Sequence, residues 1–396
     1  MQKVPTSEIA NRLVSFQHML WEQKVAATII RQNADLFYFT GTVQDGVLFV
    51  PAIGEPVFFV RRDFERAKEQ SPIRPIFPLK SLRELPDRIL DNGYEHLNKV
   101  GLELDVMPAT IYFFFRDKLF PKSEIVDISL LIRQIRMIKS GWEIEMMRKA
   151  AAISYKVAEA VPGIFKEGMS QVELSIELER VARKHGHLGL TRTRAWNMDM
   201  FFGHILAGAD AAAPAYADAP TGGIGTSPSF GQGASFTPIR AHEVISVDTM
   251  INYEGYLSDQ TRNFCLGEPE DKLKNTYEIV LEMHRGLKKR AFPGVASGEL
   301  FQWVYDEAEH FNLLNHFLGT EKNRVNFVGH GLGIEVDEFP FIAKGHKTPL
   351  SPGMTFAFEP KFIFPNLGIV GLENTYLVTS EGIESLNTFP EELVIL

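Results

Sequence analysis

Five residues carry the chemistry that this sequence offers most openly. The stretch VISVDTMINYEGYLSDQTRNF (244–264) reads as two runs of β-forming residues joined at a turn near Tyr253-Glu254-Gly255, with one aspartate on each run, Asp248 and Asp259. Side chains alternate faces along a strand, so a turn with an even number of residues puts both carboxylates on one face. Like charges roughly 4.5–8 Å apart across a strand pair are destabilising unless water or a cation lies between them. His330 follows in VGHGLG, a histidine read as a loop residue between glycines that let other backbone come close. Glu359 sits in the apolar run MTFAFEP and Glu373 in IVGLENTYLVT. A charge in an apolar strand is costly to bury unless it is paired or ligated. Four carboxylates and one imidazole suit Mn, Co, Zn or Fe, and four carboxylates can neutralise two divalent ions. By spacing alone, a solvated hairpin with separately partnered carboxylates stands beside the metal reading.

The elements that must position these residues follow from periodicity and punctuation. An amphipathic helix is expected over roughly 6–24. The short apolar segments VAATII (25–30), LFYFTG (36–41), GVLFVP (46–51) and EPVFFV (55–60) read as strands, punctuated by Gly, Pro or Asn. Helical stretches then alternate with strand candidates such as KVGLEL (99–104) out to about residue 128, an α/β pattern for a small domain over 1–128. The aromatic run IYFFF (111–115) is expected in its core. The remainder, 129–396, forms a second domain. It opens with Ser140-x-x-Glu143 and Ser170-x-x-Glu173, capping boxes ahead of two helices. Strands are expected in RTRAWNMDMFFGHILAG and in the hairpin, then a helix pair (about 271–291 and 298–312), then strands through VNFVGHGLGIEV and MTFAFEPKFIFPNLGIVGLENTYLVT. Helices then strands, twice over, hints at an internal duplication. The segment 217–236, rich in Gly, Ser and Pro, is either a flexible insertion or a loop folded over a site.

Bulk composition narrows the function classes. With 396 residues, 45% hydrophobic and 23% charged, the chain is long enough for two domains and an ordinary globular core. A net charge of −9 and the lack of a basic run argue against nucleic acid and anionic membranes. No apolar run approaches the roughly 18 residues of a membrane helix, and MQKVPTSEIANRL lacks a signal-peptide core. The one cysteine, Cys265, excludes an internal disulfide and reads as a buried spectator thiol. A cytoplasmic enzyme is expected. Gly329-x-Gly331-x-Gly333 lacks the strand–turn–helix setting of a nucleotide loop, and His242-Glu243 lacks the second histidine of a zincin helix.

The segments VDTMINYEGYLSDQTRNF, VGHGLGIEVDEFP, MTFAFEP and GLENTYLVT resemble, in order, the metal-ligand segments of the creatinase/prolidase/methionine aminopeptidase superfamily, whose catalytic domain is the pita-bread fold. RLVSFQHMLWEQKVAATIIRQNADLFYFTG resembles the creatinase-type N-terminal domain, and IRQIRMIKSGWEIEMMRKAA the entry into the catalytic one. The resemblance implies a small α/β N-terminal domain and a pita-bread α/β (α+β) catalytic domain. It implies two divalent ions, Mn favoured, held by Asp248, Asp259, His330, Glu359 and Glu373, with Asp259 and Glu373 bridging. Glu359 would accept the proton of the attacking water. The implied activity is hydrolysis of a C–N bond of the Xaa-Pro dipeptidase or aminopeptidase type, by a homodimer acting on a short peptide or small molecule.

Three positions depart from the peptidase pattern. Ala215 stands where a histidine follows proline, Asp337 where another histidine is usual, and Gly371 where an arginine precedes the last glutamate. Losing an oxyanion donor costs on the order of 10²–10³ in rate. His204 in FFGHILAG, read as lying on a strand, and Asp337 are the candidates to compensate. Alternatively the substrate is a neutral or cationic small molecule, turned over by a non-peptide hydrolase or lyase on the same scaffold. A binding protein without catalysis is the third reading, which five intact ligand positions oppose.

Overall fold

The computed structural model describes residues 2–320 and 322–396. They form two compact units. One runs to Arg136 and includes Arg194–Trp196; the other comprises Met137–Thr193 and Asn197–Leu396.

In the first unit α1 (Thr6–Glu22) buries Ile9, Leu13, Phe16 and Leu20, the stripe that its 3.6-residue period dictates. There follow β1 (Ala27–Ile30), α2 (Asn33–Thr40), β2 (Gly46–Pro51), β3 (Val57–Val60), α3 (Phe64–Gln70), β4 (Ile76–Pro78), α4 (Leu85–Asp91), β5 (Lys99–Leu102), α5 (Ala109–Phe114), β6 (Glu124–Asp127) and α6 (Ser129–Met137). The strands form one mixed sheet in the order β4-β3-β2-β1-β5-β6. One expected strand is a helix. LFYFTG belongs to α2 because the Gln32 side chain accepts from the Asp35 amide (2.9 Å) at its start, while Gly41 ends it at φ 76, a left-handed conformation that glycine adopts without strain. A short apolar run has no period of its own, so only these caps decide its type. Phe115 of the aromatic run is in the core, but Phe113 is 48% exposed, so that run is only partly core. The Arg194–Trp196 segment is tied in by Asp35, whose buried carboxylate receives Arg136 and Arg194, each at 2.7 Å.

The second unit begins with α7 (Gly141–Ile164) and α8 (Gln171–Lys184), each started by the expected capping box. Then come β7 (Ile205–Ala207), β8 (Val244–Tyr253), β9 (Tyr256–Cys265), α9 (Asp271–Lys288) and α10 (Ser297–His310). The chain ends with β10 (Phe327–Leu332), β11 (Val336–Ala343), β12 (Thr355–Phe358), β13 (Lys361–Phe364), β14 (Gly368–Gly371), β15 (Glu373–Thr379), β16 (Gly382–Ser385) and β17 (Val394–Ile395). The main sheet runs β11-β10-β12-β15-β9-β8-β7, with β16 on β15 and β17 on β9; β13 and β14 pair separately. One hydrophobic cluster packs α7 and α8 on β8 and β9, and a larger one packs α9 and α10 on the strands of the C-terminal half. RTRAWNMDMFFG is not the strand expected. Only Phe202 and His204 accept hydrogen bonds from β8, at Met250 and Asp248, because the segment before them is polar and lacks the alternation that would hold it on a sheet. Among the described residues no helix is long and apolar enough to cross a membrane.

Candidate metal centre

The hairpin of β8 and β9 turns through Glu254 and Gly255, both at positive φ (48° and 95°), the geometry of a tight two-residue hairpin turn. Asp248 faces Thr261 across the pair and Met250 faces Asp259. The two aspartates are therefore diagonal neighbours on one face, as alternation requires. His330 lies within β10 rather than in a loop, Glu359 directly follows β12, and Glu373 opens β15 beside Thr261 of β9. The strands β10, β12, β15, β9 and β8 are consecutive in the sheet, so residues far apart in sequence meet on one surface.

All five, together with His204 and Asp337, line a single cavity. Phe201, Met250 and Phe327 supply its apolar walls. Ala217–Thr221 and Gln232 line it too, so the Gly-rich 217–236 segment is folded over the site. His204 lies just ahead of β7 and its Nδ1 is 3.1 Å from the Thr221 hydroxyl. Burial pushes its pKa down against the nearby carboxylate of Asp248. Asp337, at φ 64 in a bulged part of β11, has Oδ1 3.7 Å from Nδ1 of His330. Ala215 does not face this cavity; it lines a neighbouring one with Arg324.

The His330 ring is oriented as a ligand would be. Its Nδ1 lies 3.2 Å from the Gly331 carbonyl, which can only accept, so Nδ1 carries the proton. Nε2 then faces Asp259 Oδ2 (4.0 Å) and Glu359 Oε1 (3.7 Å), beyond hydrogen-bond length from both. Donor atoms of Asp259, His330 and Glu373 lie within 4.8 Å of one another, and Asp259 Oδ1 is buried without a hydrogen-bond partner. Burial, then Glu373 and Asp248, hold the Asp259 carboxyl well above its ordinary range. Burial also lifts Glu373 to about 7, partly opposed by Lys361. A hard cation among these oxygens and this nitrogen would relieve the crowding, so the donor set fits a divalent metal.

A lysine that the sequence reading passed over also sits here. Lys361, 3% exposed, opens β13, and its Nζ lies 2.8 Å from Asp248 Oδ2, 2.8 Å from Glu359 Oε2 and 3.2 Å from Glu373 Oε2. Burial would lower its pKa, but these three carboxylates outweigh it and hold the ammonium well above its ordinary range. The rule applied to Glu359, that a charge in an apolar run needs a partner, would have found Lys361 in FEPKFIF.

Buried polar groups fix the strands that carry these candidate ligands. Arg262 donates to the carbonyls of Thr261 (2.8 Å) and Glu373 (2.9 Å), to Asn374 Oδ1 (2.8 Å) and to the Phe389 and Pro390 carbonyls. Thr375 Oγ1 accepts from the Asp259 amide and donates to its carbonyl, and Thr261 Oγ1 donates to Glu373 Oε2 at 2.8 Å.

Comparison with known families shows which family the chain belongs to. The sequence profile of metallopeptidase family M24 matches residues 145–380, and that of the creatinase/prolidase N-terminal domain matches residues 12–138. The chain belongs to metallopeptidase family M24. It is 25% identical over 400 residues to the Xaa-Pro dipeptidase of Pyrococcus horikoshii, covering 98% of this chain and 99% of that one. It superposes on the Xaa-Pro dipeptidase of Bacillus anthracis with a TM-score of 0.83 at 26% identity, over 98% of this chain and all of that one. For the crystal structure of the prolidase from P. horikoshii the TM-score is 0.81, over 97% of this chain. The expected creatinase N-terminal domain and pita-bread catalytic domain are thus both present, and family membership implies a divalent metal.

Proposed function

We propose that this chain is a metal-dependent hydrolase of the Xaa-Pro dipeptidase type, acting at the cavity lined by Asp248, Asp259, His330, Glu359 and Glu373. The observation that carries the reading is the arrangement around Asp259: an unpartnered buried carboxylate oxygen beside a histidine nitrogen whose tautomer leaves it free to ligate. Manganese is the favoured ion, and a cytoplasmic homodimer the favoured state.

A bound divalent ion would polarise the scissile carbonyl and acidify a water. Asp259, His330, Glu359 and Glu373 would hold it. Glu359 Oε1, the oxygen not engaged by Lys361, would take the proton of the attacking water. His204, kept neutral by burial, can donate or accept at the substrate side. Phe201, Met250 and Phe327 exclude bulk water and offer a surface for an apolar or prolyl ring.

One observation favours a second reading, a non-peptide hydrolase or lyase. Among the described residues lining the cavity, Lys361 is the only lysine or arginine, and its ammonium is engaged by three carboxylates. A dipeptide carboxylate would find no cation in this cavity, whereas a neutral or cationic molecule needs none. The deciding experiment is free proline release from Xaa-Pro dipeptides and Xaa-Pro-Yaa tripeptides with Mn²⁺ or Co²⁺ added. Turnover of dipeptides is expected. No release from protein shown to hold metal would instead favour the non-peptide reading.

A further inference from the structure

We infer that Lys361 is the resident second cation of this centre: its ammonium occupies the position between Asp248, Glu359 and Glu373, and the chain binds a single divalent ion on the His330 side. This rests on reading the cavity as a metal centre.

The distances to Nζ are those of charge-assisted hydrogen bonds, 2.8, 2.8 and 3.2 Å to three carboxylate oxygens. A divalent ion binds carboxylate oxygen at roughly 2.0–2.2 Å. An ion held through these same oxygens, Asp248 Oδ2 and Glu373 Oε2, would compete with Nζ for their lone pairs and for the space between them.

The lysine is built into this position. Lys361 pairs with Gly371 across β13 and β14, and a Cβ at 371 would overlap Cγ of Lys361. Glycine at 371 is what leaves room for the lysine stem. Glycine at 371 and lysine at 361 therefore go together: the bare strand position lets the stem pass and carry its ammonium into the carboxylate cluster.

The other half of the centre is arranged differently. Asp259 Oδ1 has no hydrogen-bond partner, and His330 Nε2 stands 3.7 Å from Glu359 Oε1 and 4.0 Å from Asp259 Oδ2. Two donors each about 2.1 Å from a shared ion lie up to roughly 4.2 Å apart, so these separations suit an ion between them. Glu359 divides its two oxygens, Oε2 to Lys361 and Oε1 toward His330.

The test counts metal and does not need turnover. Protein loaded with excess Mn²⁺ and desalted is assayed by plasma mass spectrometry and by electron paramagnetic resonance. One manganese per chain with the hyperfine pattern of an isolated ion is expected, and Lys361→Gly is expected to take up a second ion and show exchange coupling. Two ions per chain in the wild type, with a coupled spectrum, would overturn the inference and leave the metal-centre reading standing. A variant that still holds one ion would overturn it as well. No bound metal in either protein would overturn both. If Lys361→Gly does not fold, the wild-type spectrum alone decides between one ion and two.

Discussion

At the scale of single residues, Glu359 is asked to do the most. It contacts Lys361 through one oxygen and faces His330 with the other, so its charge anchors the ammonium, and in the proposed mechanism it is also the proton acceptor. Glu359→Gln keeps the shape and removes that basicity. General-base catalysis contributes roughly 10²–10⁴-fold, so kcat should fall by about that factor on whichever substrate is turned over. Metal content measured on the same sample separates a lost base from a lost ion. Full activity in the variant would sink the assigned role. The individual acids and the histidine were legible because each stood in an apolar run or beside glycines, where an unpartnered polar group needs a reason. Lys361 meets the same criterion, an ionisable side chain in the apolar run FEPKFIF. Gly371 was read only as an isolated departure, and the sequence could not show that the Lys361 stem packs against it. That packing depends on the register of β13 against β14.

At the scale of elements, the centre depends on strands held by a side chain that never reaches it. Arg262 is fully buried and satisfies carbonyls on β9, on β15 and in the 389–390 segment, locking the two strands that carry Asp259 and Glu373. The β13–β14 pair shows how tightly such geometry is set. Gly371→Arg in the wild-type background would force the lysine stem aside, and overpacking of this kind costs roughly 1–3 kcal/mol. In a Lys361→Gly background the same substitution should cost much less, because the space is vacant. Urea midpoints for the two single variants and the double variant form a cycle, and their non-additivity measures the coupling. Additive effects would mean that 361 and 371 do not share the space. Helices with capping boxes, α7 and α8, were readable from sequence because their signals are local. LFYFTG was misread because its identity as helix rests on a side-chain cap and a left-handed glycine, which apolarity alone does not reveal. RTRAWNMDMFFG failed in the opposite sense: it meets the sheet only at a bridge from Thr193 to Val336 of β11 and at the Phe202 carbonyl, without forming a strand.

At the scale of the whole molecule, folding buries two histidines away from the centre in a neutral form, and this makes stability depend on pH. His284, held by α9, has Nε2 3.0 Å from the Leu372 carbonyl, so Nε2 is protonated and Nδ1 accepts from the Tyr376 hydroxyl at 2.9 Å. Burial lowers its pKa to about 3. His187 accepts the Asn252 amide at Nδ1 (2.9 Å) behind the hairpin, and burial followed by Arg183 lowers it to about 4. An unfolded histidine titrates near 6.5, so between that value and the folded pKa the unfolded chain binds protons that the folded chain does not. Stability contributed by the two neutral rings is therefore present above about pH 6.5 and is lost as the pH falls, toward 4 for His187 and toward 3 for His284. For His284 alone the loss between pH 8 and pH 5 is roughly 2 kcal/mol. The carboxylates of the centre also titrate as the pH falls, so the wild-type slope by itself does not isolate the imidazole. His284→Gln removes the imidazole while leaving those carboxylates in place, and its urea midpoint should fall less steeply from pH 8 to pH 5 than that of the wild type. Equal slopes would show that His284 is not buried neutral, and with it the packing of α9 against the strand that leads into Glu373 would have to be redrawn.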